Sequence, residues 1–221
     1  KEILSLSLDD YYLTKKQRTT LSKKIHPLLI TRGVPGTHDI KKLLKHVRCF
    51  ERSIYPINIP IFDKINDDRL TKVKKIKTKA EILILEGWCC GSPAVPNSFL
   101  KKNINHIEKI FDEDLRWRNY YNHQLQNQYA RLFKKFEKVI YLKVPSFSYI
   151  QNWRLKQEKM MKTRNNHIGA MNRKQILEFI QHYEKITKWM MKVLPSKANI
   201  TINVDKNQKI KKILFKKTTT D

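Results

Sequence analysis

Residues 82 to 85, Ile-Leu-Ile-Leu, are four apolar residues in a row, closed by Glu86 and Gly87. A strand wetted on one face alternates apolar and polar residues, whereas an unbroken run suits a strand covered on both faces of a parallel sheet. KVIYLKVP (138–145) repeats the pattern. ILSLSL (3–8) alternates weakly and reads as a buried strand, and NITINVD (199–205) alternates like a strand nearer an edge. Between these runs lie long helical periods. Residues 113–136 place Trp117, Tyr121, Leu125, Tyr129, Leu132 and Phe136 on one face, and residues 172–194 do the same with Ile176, Phe179, Ile180, Tyr183, Ile186, Met190 and Leu194. TKKQRTTLSKKI is predicted as a helix ending near Pro27, and DIKKLLKHVRCF as a second helix with Thr37 as its cap. IPIFDKINDDRL (59–70), with Pro60 among apolar residues, reads as an extended edge segment running into a loop. Strands alternating with helices predict an α/β fold, a mainly parallel sheet flanked by helices. No internal repeat or low-complexity linker divides the chain, so one domain over 1–221 is expected, with a frayed C-terminus.

Length and composition narrow the class. A chain of 221 residues can bury one sizeable core. It has no run of the roughly 20 uncharged apolar residues that a membrane span needs and no basic-then-apolar leader, so a soluble, cytoplasmic protein is expected. Three cysteines, Cys49, Cys89 and Cys90, make no even disulfide framework, and the vicinal pair cannot form an unstrained bridge. Without C-x-x-C or H-x-x-x-H spacing, zinc is not expected. The chain has 46 basic against 20 acidic residues, a net charge of +26, which suits a polyanionic partner. Yet the basic residues run from Lys15-Lys16 to Lys216-Lys217 with no single stripe, and an AT-biased coding composition also accounts for them. A basic nucleic-acid-binding protein therefore stands as an alternative reading, one that predicts a steep salt dependence of binding.

In open α/β sheets ligands gather beyond the carboxyl ends of the strands. The residues there are Asp9 and Asp10 after the first run and Glu86-Gly87 after Ile-Leu-Ile-Leu. A carboxylate fixed at a strand end suits Mg²⁺ or a reacting hydroxyl; the alternative is that it caps the next helix. Arg32, Arg69, Arg116, Arg118, Arg154 and Arg164 lie in or beside predicted loops and helix starts, where guanidinium forks can hold carboxylate or phosphate oxygens or simply face solvent.

SLDDYYLT, HPLLITRGVPGTHD, IPIFDKINDDRL, ILILEGWCCG, LRWRNYYNHQL with YARLF, and VPSFSYIQNWRLKQE occur in that order over almost the whole chain. Together they resemble D-glycerate 3-kinase and its relatives, kinases with a phosphate-binding loop in the group of uridine kinase, phosphoribulokinase and bacterial pantothenate kinase. The resemblance implies ATP-dependent transfer of a γ-phosphoryl group to a hydroxyl, most simply that of D-glycerate, with Mg²⁺. Another acceptor, a nucleoside or a pantothenate-like molecule, is the alternative within the class. It implies that Asp9 faces the acceptor hydroxyl as base or orienter with Asp10 and Tyr12 beside it, and that Glu86, with Asp9, holds Mg²⁺. Arg32, His38, Asp39 and Lys64 would wall the acceptor pocket, with Arg69, Arg116 and Arg118 as further grips on a carboxylate. Arg154 and Gln157 would begin a lid over the nucleotide phosphates, at about 154–172, with Arg164 in its mobile part.

One feature of such kinases is absent: no G-x-x-x-x-G-K-[ST] string occurs, and the first glycine is Gly33. The strand carrying the acidic pair comes second in the resembled kinases and first here. The expectation is a kinase sequence short of its first strand and phosphate-binding loop, with ATP binding impaired in this form.

Overall fold

The computed structural model describes residues 2–165 and 171–216. Along the chain run β1 (Ile3–Ser7), α1 (Lys15–Lys24), α2 (Ile40–Glu51), β2 (Ile57–Asp63), β3 (Asp68–Ile76), β4 (Ile82–Glu86), α3 (Asn97–Leu100), α4 (His106–Ile110) and α5 (Arg116–Gln124). There follow α6 (Ala130–Phe133), β5 (Ile140–Lys143), α7 (Phe147–Asn165), α8 (Arg173–Lys197), β6 (Ile200–Val204) and β7 (Ile210–Phe215). The chain forms two compact units, Lys1–Pro96 with Asp112–Lys135, and Asn97–Phe111 with Phe136–Asp221.

In the first unit β1 and β4 pair in parallel, from Ile3 opposite Ile82 to Ser7 opposite Glu86. Leu4 and Leu6 are buried on one face, while Ile3, Ile82 and Ile84 are exposed on the other. The unbroken apolar run thus forms a strand without being covered on both faces, because β-branched residues favour a pleated strand whatever lies above them. β2 and β3 form an antiparallel hairpin with a bulge between Pro60 and Phe62. Pro60 is tolerated because β2 pairs with β3 alone. β3 escapes a sequence reading because its DRLTKVKKI is wholly unburied and carries no apolar alternation.

Helix starts follow capping chemistry. Thr14 and Gln17 make a reciprocal capping box at α1. Asp39, not Thr37, caps α2, its carboxylate accepting from the Lys42 amide at 3.0 Å. The Thr37 hydroxyl turns inward instead, accepting from the Gly33 amide and donating to the Val34 carbonyl. The helical period 113–136 resolves into α5, a π-helical turn over Leu125–Tyr129, and α6, which ends before Phe136. The turn has a purpose. Trp117, Tyr121, Leu125 and Tyr129 are spaced by four residues, and in an α-helix each such step drifts by about 40° around the axis. The wider i→i+5 turn takes back part of that drift, so all four side chains are buried.

In the second unit β5 and β6 pair in parallel and β6 and β7 antiparallel. The parallel character expected from sequence is carried by β1–β4 and β5–β6, with the two hairpins adding antiparallel pairs. An Asn172–Gln175 capping box opens α8, and α7 packs on it through Phe147, Ile176 and Ile180. Lys185, almost wholly buried, is satisfied by the Phe99 and Lys102 carbonyls and the Glu108 carboxylate. No helix among the described residues is long and apolar enough to cross a membrane.

Candidate active site

After β1 the chain winds into a 3₁₀ turn over Leu8–Tyr11, which sends Leu8 and Tyr11 into the core and leaves Asp9 and Asp10 partly exposed at the strand end. Because Ser7 stands opposite Glu86, the acids of β1 and β4 leave the same end of a parallel pair. Gly87 makes the exit possible: a Cβ there would lie 2.6 Å from the Cβ of Leu8.

Asp9 sits at the centre of a small network. One oxygen accepts from the Tyr12 hydroxyl at 2.7 Å, the other from the Lys64 ammonium at 2.7 Å. Burial pushes its pKa up, but the hydrogen bonds from Lys64 and Tyr12 and the Lys64 charge outweigh it and hold Asp9 below the usual carboxylate range. Asp10 moves the other way. Burial raises it, the Phe62 amide at 3.4 Å opposes, and the negative charges of Asp9 and Glu86 add to the rise. Asp9, Asp10 and Glu86 therefore share one electrostatic neighbourhood. Cys90 senses the same field, its thiol pushed up to about 12 by burial, Glu86 and Asp9, so it is no nucleophile.

The segment Gly33–Asp39 is laid against this rim. Tyr12 and His38 form an antiparallel bridge, flanked by Leu13 N–H to Thr37 carbonyl at 2.8 Å and Asp39 N–H to Tyr11 carbonyl at 2.7 Å. The Tyr12 and His38 rings stack at 4.7 Å. His38 Nδ1 lies 2.5 Å from the Tyr129 hydroxyl, which also accepts from the Gly36 amide at 3.1 Å. Burial pushes the His38 pKa down to about 3, against a weaker upward pull from Asp9. The ring is neutral at physiological pH.

The arginines divide sharply. Arg69 braces the rim from behind, donating to the Tyr11 and Tyr12 carbonyls and pairing with Asp39 at 3.5 Å. Arg32 lies over the Phe62 ring, 5.5 Å from its centroid, and pairs with Asp67. Arg18, which sequence reasoning passed over, is buried and ties Leu13, Ile30 and Asp67 together through three carbonyls, with the Asp67 carboxylate at 2.9 Å. Arg116 is exposed, bonded to the Ile25 carbonyl and 3.8 Å from Asp114. Arg118 is not at the rim: fully buried, it holds Asp112 at 2.6 Å while that carboxylate caps α5 through the Trp117 amide. An arginine with no exposed surface cannot grip a ligand, so its place among the substrate contacts gives way to a structural one.

In the second unit Arg154 bonds Gln157 at 2.7 Å and Glu158 at 3.0 Å and faces the Phe179 ring. Arg154 and Gln157 line a groove of ≈ 1030 Å³ with Tyr149, Trp153 and the turn Lys206–Gln208. The Arg164 side chain, and residues 166–170 of the expected lid, lie outside the described residues. A second acid-histidine grouping, His26, Asp112 and Asp114, is present among the described residues. Asp112 there is already neutralised by Arg118, whose charge would repel a metal ion.

A strand-end acidic rim on an α/β scaffold fits the fold of kinases with a phosphate-binding loop, and comparison with solved structures bears out that fold. D-glycerate 3-kinase from Cryptococcus neoformans var. grubii superposes with a TM-score of 0.78 at 25% identity, over 97% of this chain and 80% of its own. The chain is 28% identical over 217 residues to the uncharacterized kinase mug58 of Schizosaccharomyces pombe, covering 90% of this chain and 74% of that one. It is also 28% identical over 235 residues to the probable ATP-dependent kinase TDA10 of Saccharomyces cerevisiae, covering 95% and 76%. No family model matches the chain. Its homologues are thus kinases related to D-glycerate 3-kinase.

Proposed function

We propose that this chain supplies the acceptor side of an ATP-dependent kinase that phosphorylates a hydroxyl of a small hydroxy acid, D-glycerate being the first candidate. The observation that carries this reading is the Lys64–Asp9–Tyr12 network at the shared end of β1 and β4. Lys64 is 62% exposed, and its ammonium meets the acceptor from the solvent side. An acid whose carboxylate engages Lys64 brings its hydroxyl to Asp9, which is ionised and ready to accept that hydrogen. With its pKa held low, Asp9 is a weak base. Its main contribution is orientation, with the proton arriving late, as suits a loose phosphoryl-transfer transition state. His38, neutral and stacked on Tyr12, offers a further polar wall without adding charge.

Asp9 and Glu86 are the residues that would hold Mg²⁺: both leave the same end of the parallel pair β1–β4, and Glu86 is the readier donor because Asp9 is already paired with Lys64. The ion would supply positive charge toward the phosphoryl oxygens. Arg154 and Gln157 are the proposed nucleotide-side residues. The 221 residues contain no phosphate-cradling G-x-x-x-x-G-K-[ST] string, so what these residues derive is the acceptor half of the chemistry. An ADP-release screen of the protein expressed from its complete reading frame, against hydroxy acids, nucleosides and pantothenate, tests the assignment. Turnover with D-glycerate or a close hydroxy acid is expected; turnover confined to nucleosides or pantothenate would overturn the acceptor class.

A further inference from the structure

Tyr129 looks from sequence like one more core residue in a ladder of aromatics, and nothing in the acceptor chemistry above requires it. Its surroundings give it a task. It is wholly buried, and the π-helical turn Leu125–Tyr129 delivers it to the Gly33–Asp39 segment. Such turns recur where a helix must aim one side chain. Its hydroxyl has one hydrogen to give. The Gly36 amide is a donor to it at 3.1 Å, and His38 Nδ1 at 2.5 Å is the one neighbour given for the hydroxyl that can take that hydrogen, which requires Nδ1 to be the unprotonated ring nitrogen. An Nδ1 that accepts leaves the ring's hydrogen on Nε2, and among the described residues His38 Nε2 has no hydrogen-bond partner.

We infer that Tyr129 is a positioning residue that fixes His38 in its neutral Nε2–H tautomer, so that a single hydrogen-bond donor stands beside Asp9 for an oxygen of the acceptor. The inference rests on the acceptor-site reading for its purpose, though not for its geometry. The groups facing His38 agree with it. Tyr12 stacks on the ring from the turn after β1, Tyr129 bonds it from the π-helical turn, and Asp9 contributes a nearby negative charge. A protonated ring would turn Nδ1 into a second donor to the Tyr129 oxygen and leave the buried hydroxyl hydrogen without this acceptor, so the tyrosine disfavours the charged form. The consequence is selectivity: the pocket discriminates at this point by hydrogen-bond geometry rather than charge, leaving the carboxylate to Lys64.

Long-range ¹H–¹⁵N spectra of the histidine ring, assigned with a His38→Gln variant, test this in the 221-residue chain. The wild type is expected to show unprotonated Nδ1 and protonated Nε2, unchanged from pH 8 down to pH 5. Tyr129→Phe keeps the ring that fills the core and removes only the hydroxyl. It is expected to give a mixture of tautomers and about two- to tenfold weaker D-glycerate binding, the worth of one neutral hydrogen bond. Should that variant fail to fold, the wild-type spectrum decides alone. A wild-type ring protonated on Nδ1, or charged at pH 7, or a tautomer unaltered in Tyr129→Phe, overturns the inference. If the tautomer depends on Tyr129 as stated but no hydroxy acid perturbs the Nε2–H signal, the positioning stands and the acceptor reading fails.

Discussion

Arg116 and Arg118 stand two residues apart in the sequence, and truncating each should give opposite outcomes. Arg118 has no exposed surface and gives its Nε to Asp112 at 2.6 Å and an Nη to the Asp112 carbonyl at 2.5 Å. Arg118→Ala strips these bonds and leaves the Asp112 carboxylate buried with only the amides of Trp117 and residue 118 to hold it. Removing one partner of a buried ion pair costs about 3–5 kcal/mol, because the remaining charge is desolvated without compensation. At about 2–4 °C per kcal/mol for a chain of this size, the melting temperature should fall by about 6–20 °C. Arg116→Ala removes an exposed side chain with a 3.8 Å ion pair and should cost no more than about 1 kcal/mol. Urea denaturation followed by tryptophan fluorescence measures both. If Arg118→Ala is as stable as Arg116→Ala and instead weakens hydroxy-acid binding, Arg118 is a ligand contact and its structural assignment is wrong.

Other consequences follow from the same geometry. Gly36 has φ of +98°, and a Cβ there would lie 2.5 Å from Tyr120 Cε1, so Gly36→Ala should lose at least about 1–2 kcal/mol in the same denaturation assay; an unchanged midpoint would show that this segment adjusts freely. Lys64→Met removes the strongest hydrogen bond holding Asp9 ionised, so the Asp9 pKa should rise in a ¹³C carboxyl titration, and a fall or no change would contradict the network. Stability should also fall on mild acidification. His38 is pushed to about 3 and His46, hydrogen-bonded to Tyr11 at 2.8 Å, to about 4, both below the ordinary 6.5. A folded-state pKa depressed in this way contributes stability that is present above pH 6.5 and lost as pH falls toward the folded value. His38 adds a slope of up to about 1.4 kcal/mol per pH unit in that window, with His46 acting in the same direction. Urea midpoints from pH 7 to pH 4 measure it, and a flat profile would refute the burial of these rings as neutral species.

Much of the scaffold was legible because its signals are local. Apolar runs at 3–8, 82–85, 138–145 and 199–205 became β1, β4, β5 and β6, and the apolar face of 172–194 became α8. β3 and β7 were not legible. Their residues are unburied and rich in lysine, so pairing with a neighbour, rather than alternation, makes them strands. α7 has no apolar face of its own to announce it and was read only as the start of a lid. At the site, Asp9 and Glu86 were legible because they end apolar runs. Lys64 and His38 followed from resemblance. Arg18 and Tyr129 were not legible as anything but surface charge and core, since their roles come from carbonyls and a histidine 5 to 91 residues away. For Tyr129 a signal did exist: four large residues at strict four-residue spacing drift by about 120° around a regular α-helix, which carries the last of them toward the edge of the apolar face unless a wider turn brings it back.

The most direct measurement compares phosphoryl transfer to D-glycerate by wild type and Asp9→Asn, both expressed from the complete reading frame and both shown to be folded. Expected is hydroxy-acid-dependent ADP release in the wild type and a drop in kcat of about 10²–10⁴-fold in the variant, with D-glycerate still bound through Lys64. Equal turnover by the two proteins, or a loss traced wholly to KM, would contradict the assignment of Asp9 to the reacting hydroxyl.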